Sequence, residues 1–320
     1  MAILAGIDEA GFGPLLGPLV LSGVAFHVPD NRLDGCLWES LRESCTGDPR
    51  RAAHRLVVAD SKKLHRPHGG LAPLERTALV MLAVAGHQPR TWRALLNHVA
   101  PGASEELEHY PWYASTDLAL PRDDRVGAIG TRANGVRRDF AQQGVSLHGV
   151  FTEVLPAGRF NRLVSNTRNK AVVLLGLVLR VVDRIMRSAG HQRIRFCIDR
   201  LGGRTHYRES LTTALPGFDL EILEESPQRS AYRLNRTSHT CEIEFVTGGD
   251  SLRFLTALAS IYSKYIRELY MDAFNTYWCR EIEGLRGTAG YYTDARRWLD
   301  DASAGLKSRS VDRGLLVRER

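Results

Sequence analysis

The run Gly6-Ile7-Asp8-Glu9-Ala10-Gly11-Phe12-Gly13-Pro14-Leu15-Leu16-Gly17-Pro18-Leu19-Val20 fixes how the chain starts to fold. The apolar residues 2–7 that lead into it are few enough for a buried strand, and they stop at two carboxylates. Glycines at 11, 13 and 17 permit unusual dihedrals, while prolines at 14 and 18 bar a helix. Residues 19–26 then resume the apolar pattern, so the opening reads strand, tight loop, strand.

Further along, residues 33–44 suggest a short helix. Asp60-Ser61 has the form of an N-cap after the apolar 55–59, and residues 77–85 have helical character. Residues 88–150 are least legible, with a Tyr110-Pro111-Trp112-Tyr113 cluster and a short helix expected at 132–143. They read as an elaboration on a core domain. Residues 145–155 look extended, 161–186 predict one long buried helix, and 193–199 a strand ending on Asp199. Strands are expected at 220–224 and 242–246, a helix at 251–274, and a basic amphipathic segment at 306–320. Interleaved strands and helices indicate an α/β or α+β architecture.

Composition narrows the class without naming a function. The 320 residues are 43% hydrophobic and 25% charged, which excludes a disordered, collagen-like or coiled-coil chain. The formal charge is +7, but residues 159–204 hold eleven Arg and Lys against two Asp, a local +9 that leaves −2 elsewhere. Such a stretch permits an anionic partner such as nucleic acid. The N-terminus lacks a basic leader pattern, no apolar run is long enough for a membrane span, and the five cysteines have no C-x-x-C spacing. A cytoplasmic protein with free thiols, away from membranes, is the expectation.

The acids that end strands carry the chemistry. Asp8 and Glu9 close the first strand, Asp199 closes another, and Asp250 follows Gly248-Gly249 at the start of a helix. A carboxylate set among apolar residues loses hydration and needs a cation, a donor or a shifted pKa. Several together would make a hard oxygen site for Mg²⁺ or Mn²⁺, and two such ions about 3.5–4 Å apart can drive phosphodiester hydrolysis. Spacing alone leaves a plainer reading open, with Asp8 and Asp250 as caps and Asp199 paired to Arg200 or Arg204. Adjacent residues on a regular strand also face opposite ways, so Asp8 and Glu9 are expected to need a distorted strand end to serve one metal pair.

Five segments occur in a telling order. They are the opening 6–20, Asp60-Ser61-Lys62-Lys63-Leu64, Cys197-Ile198-Asp199, Gly249-Asp250-Ser251 with Ala259-Ser260-Ile261-Tyr262-Ser263-Lys264 and Arg267-Glu268, and Gly290-Tyr291-Tyr292-Thr293. In this order they resemble the ribonuclease HII (type 2 ribonuclease H) family. The resemblance implies an α/β, ribonuclease H-like fold, a mixed sheet flanked by helices, with an insertion and a C-terminal helical extension. It implies a catalytic metal site at Asp8, Glu9, Asp199 and Asp250 holding two Mg²⁺ or Mn²⁺ ions. The implied enzyme is a hydrolase that cuts RNA–DNA hybrids, or ribonucleotides embedded in duplex DNA, leaving a 3′-hydroxyl and a 5′-phosphate. By position, the implied substrate contacts are Gly11, Phe12, Gly13, Lys62, Lys63, Lys264, Arg267 and Tyr291. A monomer is expected, with residues 1–293 as catalytic domain (insertion about 88–150) and 294–320 as a basic extension.

The chain departs from the family pattern at four places. Phe12 stands where the family has a basic residue, Tyr292 and Ser263 replace small residues, and Arg200 and Arg204 flank the third acid. Two rivals therefore stand beside the first reading: a DNA-structure nuclease on the same fold, and a non-catalytic nucleic-acid-binding protein. A dinucleotide site fails, since the loop lacks G-x-G-x-x-G and leads into a strand.

Overall fold

The computed structural model describes residues 1–65, 70–237, 239–249 and 253–319. The opening is as its residues dictate: β1 (Ala2–Ala10) and β2 (Leu19–Val28) pair antiparallel across the Gly/Pro loop. Two-residue strands β3 (Cys45–Thr46) and β4 (Leu56–Val57) form a small separate pair. β5 (Ser146–Leu155), β6 (Ile194–Asp199), β7 (Asp219–Glu225), β8 (Arg229–Arg236) and β9 (His239–Val246) complete the main sheet. Its order is β5-β2-β1-β6-β9-β8-β7, with β1, β6 and β9 parallel at the centre and antiparallel wings on both sides.

Alternation along the strands builds two cores. Ile3, Ala5 and Ile7 face one side with Leu19, Leu21 and Ala25, where the helix Lys170–Ala189 supplies Val178, Val181, Val182 and Ile185. Val20, Val24, Phe26 and Val28 face the other side, against the helix Phe254–Glu281 and the helix Ala72–Val84. The result is a mixed sheet flanked by helices, with helical turns following to the C-terminus at Tyr292–Asp301, Ser303–Ser308 and Arg313–Leu316. No helix among the described residues is long and apolar enough to cross a membrane.

Local differences from the sequence reading have simple causes. The single helix expected at 161–186 is two, Ala157–Thr167 and Lys170–Ala189. Arg168 adopts a left-handed backbone, φ 51°, and the Asn169 side chain then caps the second helix on the Ala171 amide. The strand Arg229–Arg236 was hidden by its charge, since arginines at 229, 233 and 236 interrupt the buried Ser230, Ala231, Tyr232 and Leu234. The extended stretch expected at 145–155 is β5, Ser146–Leu155. The helix of the fourth acidic segment starts at Phe254 and runs to Glu281, well beyond its expected end.

Sheet and helix backbones come close at Gly6. A Cβ there would overlap the Leu255 carbonyl carbon and the Thr256 nitrogen, both backbone atoms that cannot swing aside. Gly6→Ala is therefore expected to cost at least about 2 kcal/mol of stability. Urea unfolding of the variant beside the parent checks this, and an unchanged midpoint would contradict the packing described.

Candidate active site

The carboxyl ends of β1 and β6 stand side by side. Ile7 pairs with Ile198 in the parallel register, so Asp8 and Asp199 follow at the same level. Both alternate out of the Ile3–Ile7 and Ile194–Ile198 face, and so share the face of the helix Phe254–Glu281. Glu9 follows on the opposite face. The expected distortion of the strand end is absent: β1 keeps its register with β2 through Ala10. Asp8 and Glu9 nonetheless both line one cleft of about 1050 Å³, because the cleft opens over the rim where the strand ends.

Asp199 accepts a hydrogen bond from the Gly249 amide at 2.8 Å, and Asp8 accepts from the Glu9 amide at 2.8 Å. Burial raises the Asp199 pKa above the ordinary carboxylate value, against the lowering effects of the Gly249 bond and the Lys62 charge. Asp250 lies outside the described residues. Among the described residues, no three histidine, cysteine or carboxylate side chains converge closely enough to hold a metal ion.

One face of the long helix organises the surroundings. Thr256, Ser260, Ser263 and Arg267 recur at helical spacing, and all four are buried. Thr256 Oγ1 donates to the Cys197 carbonyl of β6 (3.2 Å), and Ser263 Oγ donates to the Asp8 carbonyl (2.8 Å). Ser260 Oγ accepts from the Ser61 amide at 3.1 Å, which docks the short helix Ser61–Leu64 and its Asp60 cap. Arg267 donates to the Ala289 carbonyl at 2.9 Å and lies 5.3 Å under the Tyr291 ring.

Of the expected substrate contacts, Gly11, Phe12, Gly13, Lys62, Lys264 and Tyr291 line the cleft with the acids. Tyr291 is half exposed, an aromatic face presented to the opening. Lys264 is already paired to Glu268 at 2.7 Å. Lys63 is exposed but does not line the cleft. Arg267, expected on phosphate, is wholly buried and spends its guanidinium on carbonyls and Glu268, so it supports the site from beneath. Arg200 turns from Asp199 to the Pro227 and Ser226 carbonyls (2.6 and 2.9 Å), and Arg204 lies against Tyr207. Reading the sequence missed His65, Arg122 and Asp272 on the cleft wall, and Arg318 behind the loop. Only the spacing of Lys264 and Glu268 had a local signal, an i, i+4 pair.

The chain is similar to solved structures of ribonucleases H. Ribonuclease H2 from Pyrococcus horikoshii OT3 matches with a TM-score of 0.44 and 11% identity, over 98% of this chain and 92% of that one. RNase HII from Archaeoglobus fulgidus, solved in complex with PCNA, gives 0.41 and 16%, over 99% and 94%. Bst-RNase HIII in complex with Mn²⁺ gives 0.38 and 15%, over 99% and 66%. No model of a protein family matches the chain, and no curated protein matches it. At scores this low the likeness carries no weight for function, which rests on the site's own residues.

The raised pKa of Asp199 has a consequence for stability. A carboxyl whose folded pKa lies above its unfolded value destabilises the fold at pH above both, and the effect vanishes below the unfolded value of 3.8. Asp199→Asn keeps an acceptor for the Gly249 amide and removes the desolvated charge. It is expected to stabilise the protein at pH 7 by up to about 1 kcal/mol, after allowance for solvent screening, with the gain fading as the pH falls. Thermal unfolding from pH 3 to 8 measures it, and a variant less stable than the parent at pH 7 would contradict it.

Proposed function

We propose that the chain is a metal-dependent endonuclease of the ribonuclease H type 2 kind. Its substrate would be duplex nucleic acid carrying ribonucleotides, cut on the 5′ side of the ribonucleotide to leave a 3′-hydroxyl and a 5′-phosphate. The observation that carries this reading is the level pairing of Asp8 and Asp199 on adjacent parallel strands, in one cleft with the Gly11–Gly13 loop and the exposed Tyr291.

The donor chemistry fits a hard divalent cation. Asp8, Glu9 and Asp199 offer carboxylate oxygens, and the burial of Asp199 strips it of the water that a cation would replace. With Asp250, these residues would hold two Mg²⁺ or Mn²⁺ ions, which when bound would activate a water and stabilise the leaving oxygen. The chain's own groups bind and orient. Tyr291 offers a face on which a sugar or base can stack, and backbone groups of the glycine loop can read a 2′-hydroxyl, the group by which RNA differs from DNA. Lys62, on the cleft wall, is the phosphate contact this reading favours.

The test is cleavage of a duplex with one embedded ribonucleotide, with Mg²⁺ or Mn²⁺, against the all-DNA duplex, with products mapped to the nucleotide. Asp199→Asn is expected to reduce cleavage by about a thousandfold or more while duplex affinity measured without divalent metal stays within a few fold, because a metal ligand goes and the phosphate contacts remain. Unchanged turnover in that variant would refute the role of Asp199. Equal cleavage of both duplexes would favour a DNA-structure nuclease. Absence of Mn²⁺ binding by calorimetry at millimolar concentration would leave a non-catalytic binding protein.

A further inference from the structure

The C-terminal segment is built into the back of the glycine loop. Val317 bridges to Leu16, and the Arg318 amide donates to the Leu15 carbonyl at 2.9 Å. The Asn161 side chain clasps the same segment, donating to the Gly314 and Val317 carbonyls and accepting from the Glu319 amide, each at 2.8 Å. The Arg318 side chain is 3% exposed. Its guanidinium donates to the Gly11 carbonyl at 2.6 Å and the Phe12 carbonyl at 2.8 Å, and lies 4.6 Å over the Phe160 ring. Burial, with the neighbouring Arg267 charge, pushes its pKa down to about 9.

A trans peptide directs its carbonyl and the following N–H in opposite senses. With the Gly11 and Phe12 carbonyls drawn to Arg318, the N–H groups of Phe12 and Gly13 turn away from it. Neither donates to any acceptor among the described residues. Arg318 does not line the main cleft, whereas Gly11, Phe12 and Gly13 do, so tail and cleft lie on opposite sides of the loop. Phe12 itself packs against the core of the Lys170–Ala189 side, with the Lys170 ammonium 5.2 Å from its ring, which leaves the loop's backbone as its polar surface.

We propose that Arg318 is a positioning residue: from outside the cleft it sets the peptide planes of the glycine loop so that two adjacent N–H groups face the substrate. The substrate part of this rests on the nuclease reading above. The loop's recognition of a ribonucleotide would then depend on a residue some 300 positions away, and the metal-binding acids would not.

Two variants test this. Arg318→Met keeps the apolar stem over Phe160 and removes every donor, and Arg318→Lys restores a charge with fewer, undirected donors. Hydrogen exchange reads the loop without reference to activity: the Leu15 and Leu16 amides, which donate to the Gly290 carbonyl, are expected to exchange at least about tenfold faster in Arg318→Met, with β1 unchanged. On the ribonucleotide duplex KM is expected to rise about tenfold with kcat nearly constant, while affinity for the all-DNA duplex stays put, and Arg318→Lys should recover part of the loss. Unaltered loop exchange would overturn the proposal, as would a KM unchanged or weakened equally for both duplexes. If the parent protein cuts no ribonucleotide duplex, the nuclease reading falls and the exchange comparison alone decides for or against Arg318.

Discussion

Gly6 leaves the helix Phe254–Glu281 in backbone contact with β1, and the geometry of the cleft depends on that contact. A side chain there would lift the helix off the sheet. The helix's buried polar stripe would then lose its partners, because each member reaches a different part of the site. Thr256 holds β6, Ser260 holds the Ser61 turn, Ser263 holds the Asp8 carbonyl, and Arg267 holds the Gly290 segment. Small hydroxyl side chains suit this arrangement, since they satisfy sheet-end carbonyls without forcing the layers apart. Ser263, a departure from the family pattern, is explained by its bond to Asp8: an alanine at this position would leave that carbonyl without this donor.

The basic stretch 159–204 has a different task from the one its charge suggests. Arg159 pairs with Glu106, Arg180 and Arg184 with Glu153, Arg187 with Asp183, and Arg195 with Asp34 and Glu244. Four of these five cations fasten one part of the fold to another, and the Arg187 pair lies within a single helix. Arg200 is spent on backbone carbonyls. Net charge in a sequence window therefore overstates what is presented to a ligand, since a cation's partners can come from anywhere in the chain.

What was legible in the sequence was whatever is encoded locally. The β1–loop–β2 opening, the Asp60 cap and the strand ending at Asp199 each follow from a few adjacent residues, and the structure holds all three. Asp8 and Asp199 were marked as acids at strand ends, but their level pairing depends on the register of β1 with β6, which no short window contains. The burial of Arg267 was hidden for a related reason: its position in a polar pair beside Glu268 looks like solvated helix surface until the Gly290 segment covers it. Arg318 gave no signal at all, because its partners lie at the far end of the sequence.

The balance of charge inside the cleft bears on how a phosphate backbone could enter it. The wall carries six carboxylates, Asp8, Glu9, Asp123, Asp199, Glu268 and Asp272, against three cations, Lys62, Arg122 and Lys264. Lys264 and Arg122 are already paired to Glu268 and Asp272. Arg125 on Asp123 and Arg267 on Glu268 offset two of these carboxylates from behind the wall, so the cleft keeps a formal excess of one negative charge and does not by itself attract a polyanion. Under the proposed function the divalent ions therefore have a part to play before any chemistry: two of them would turn the small negative excess positive. Metal and nucleic acid would then bind cooperatively. Affinity for duplex would rise with metal concentration even in a variant unable to cut, provided that the carboxylates remain.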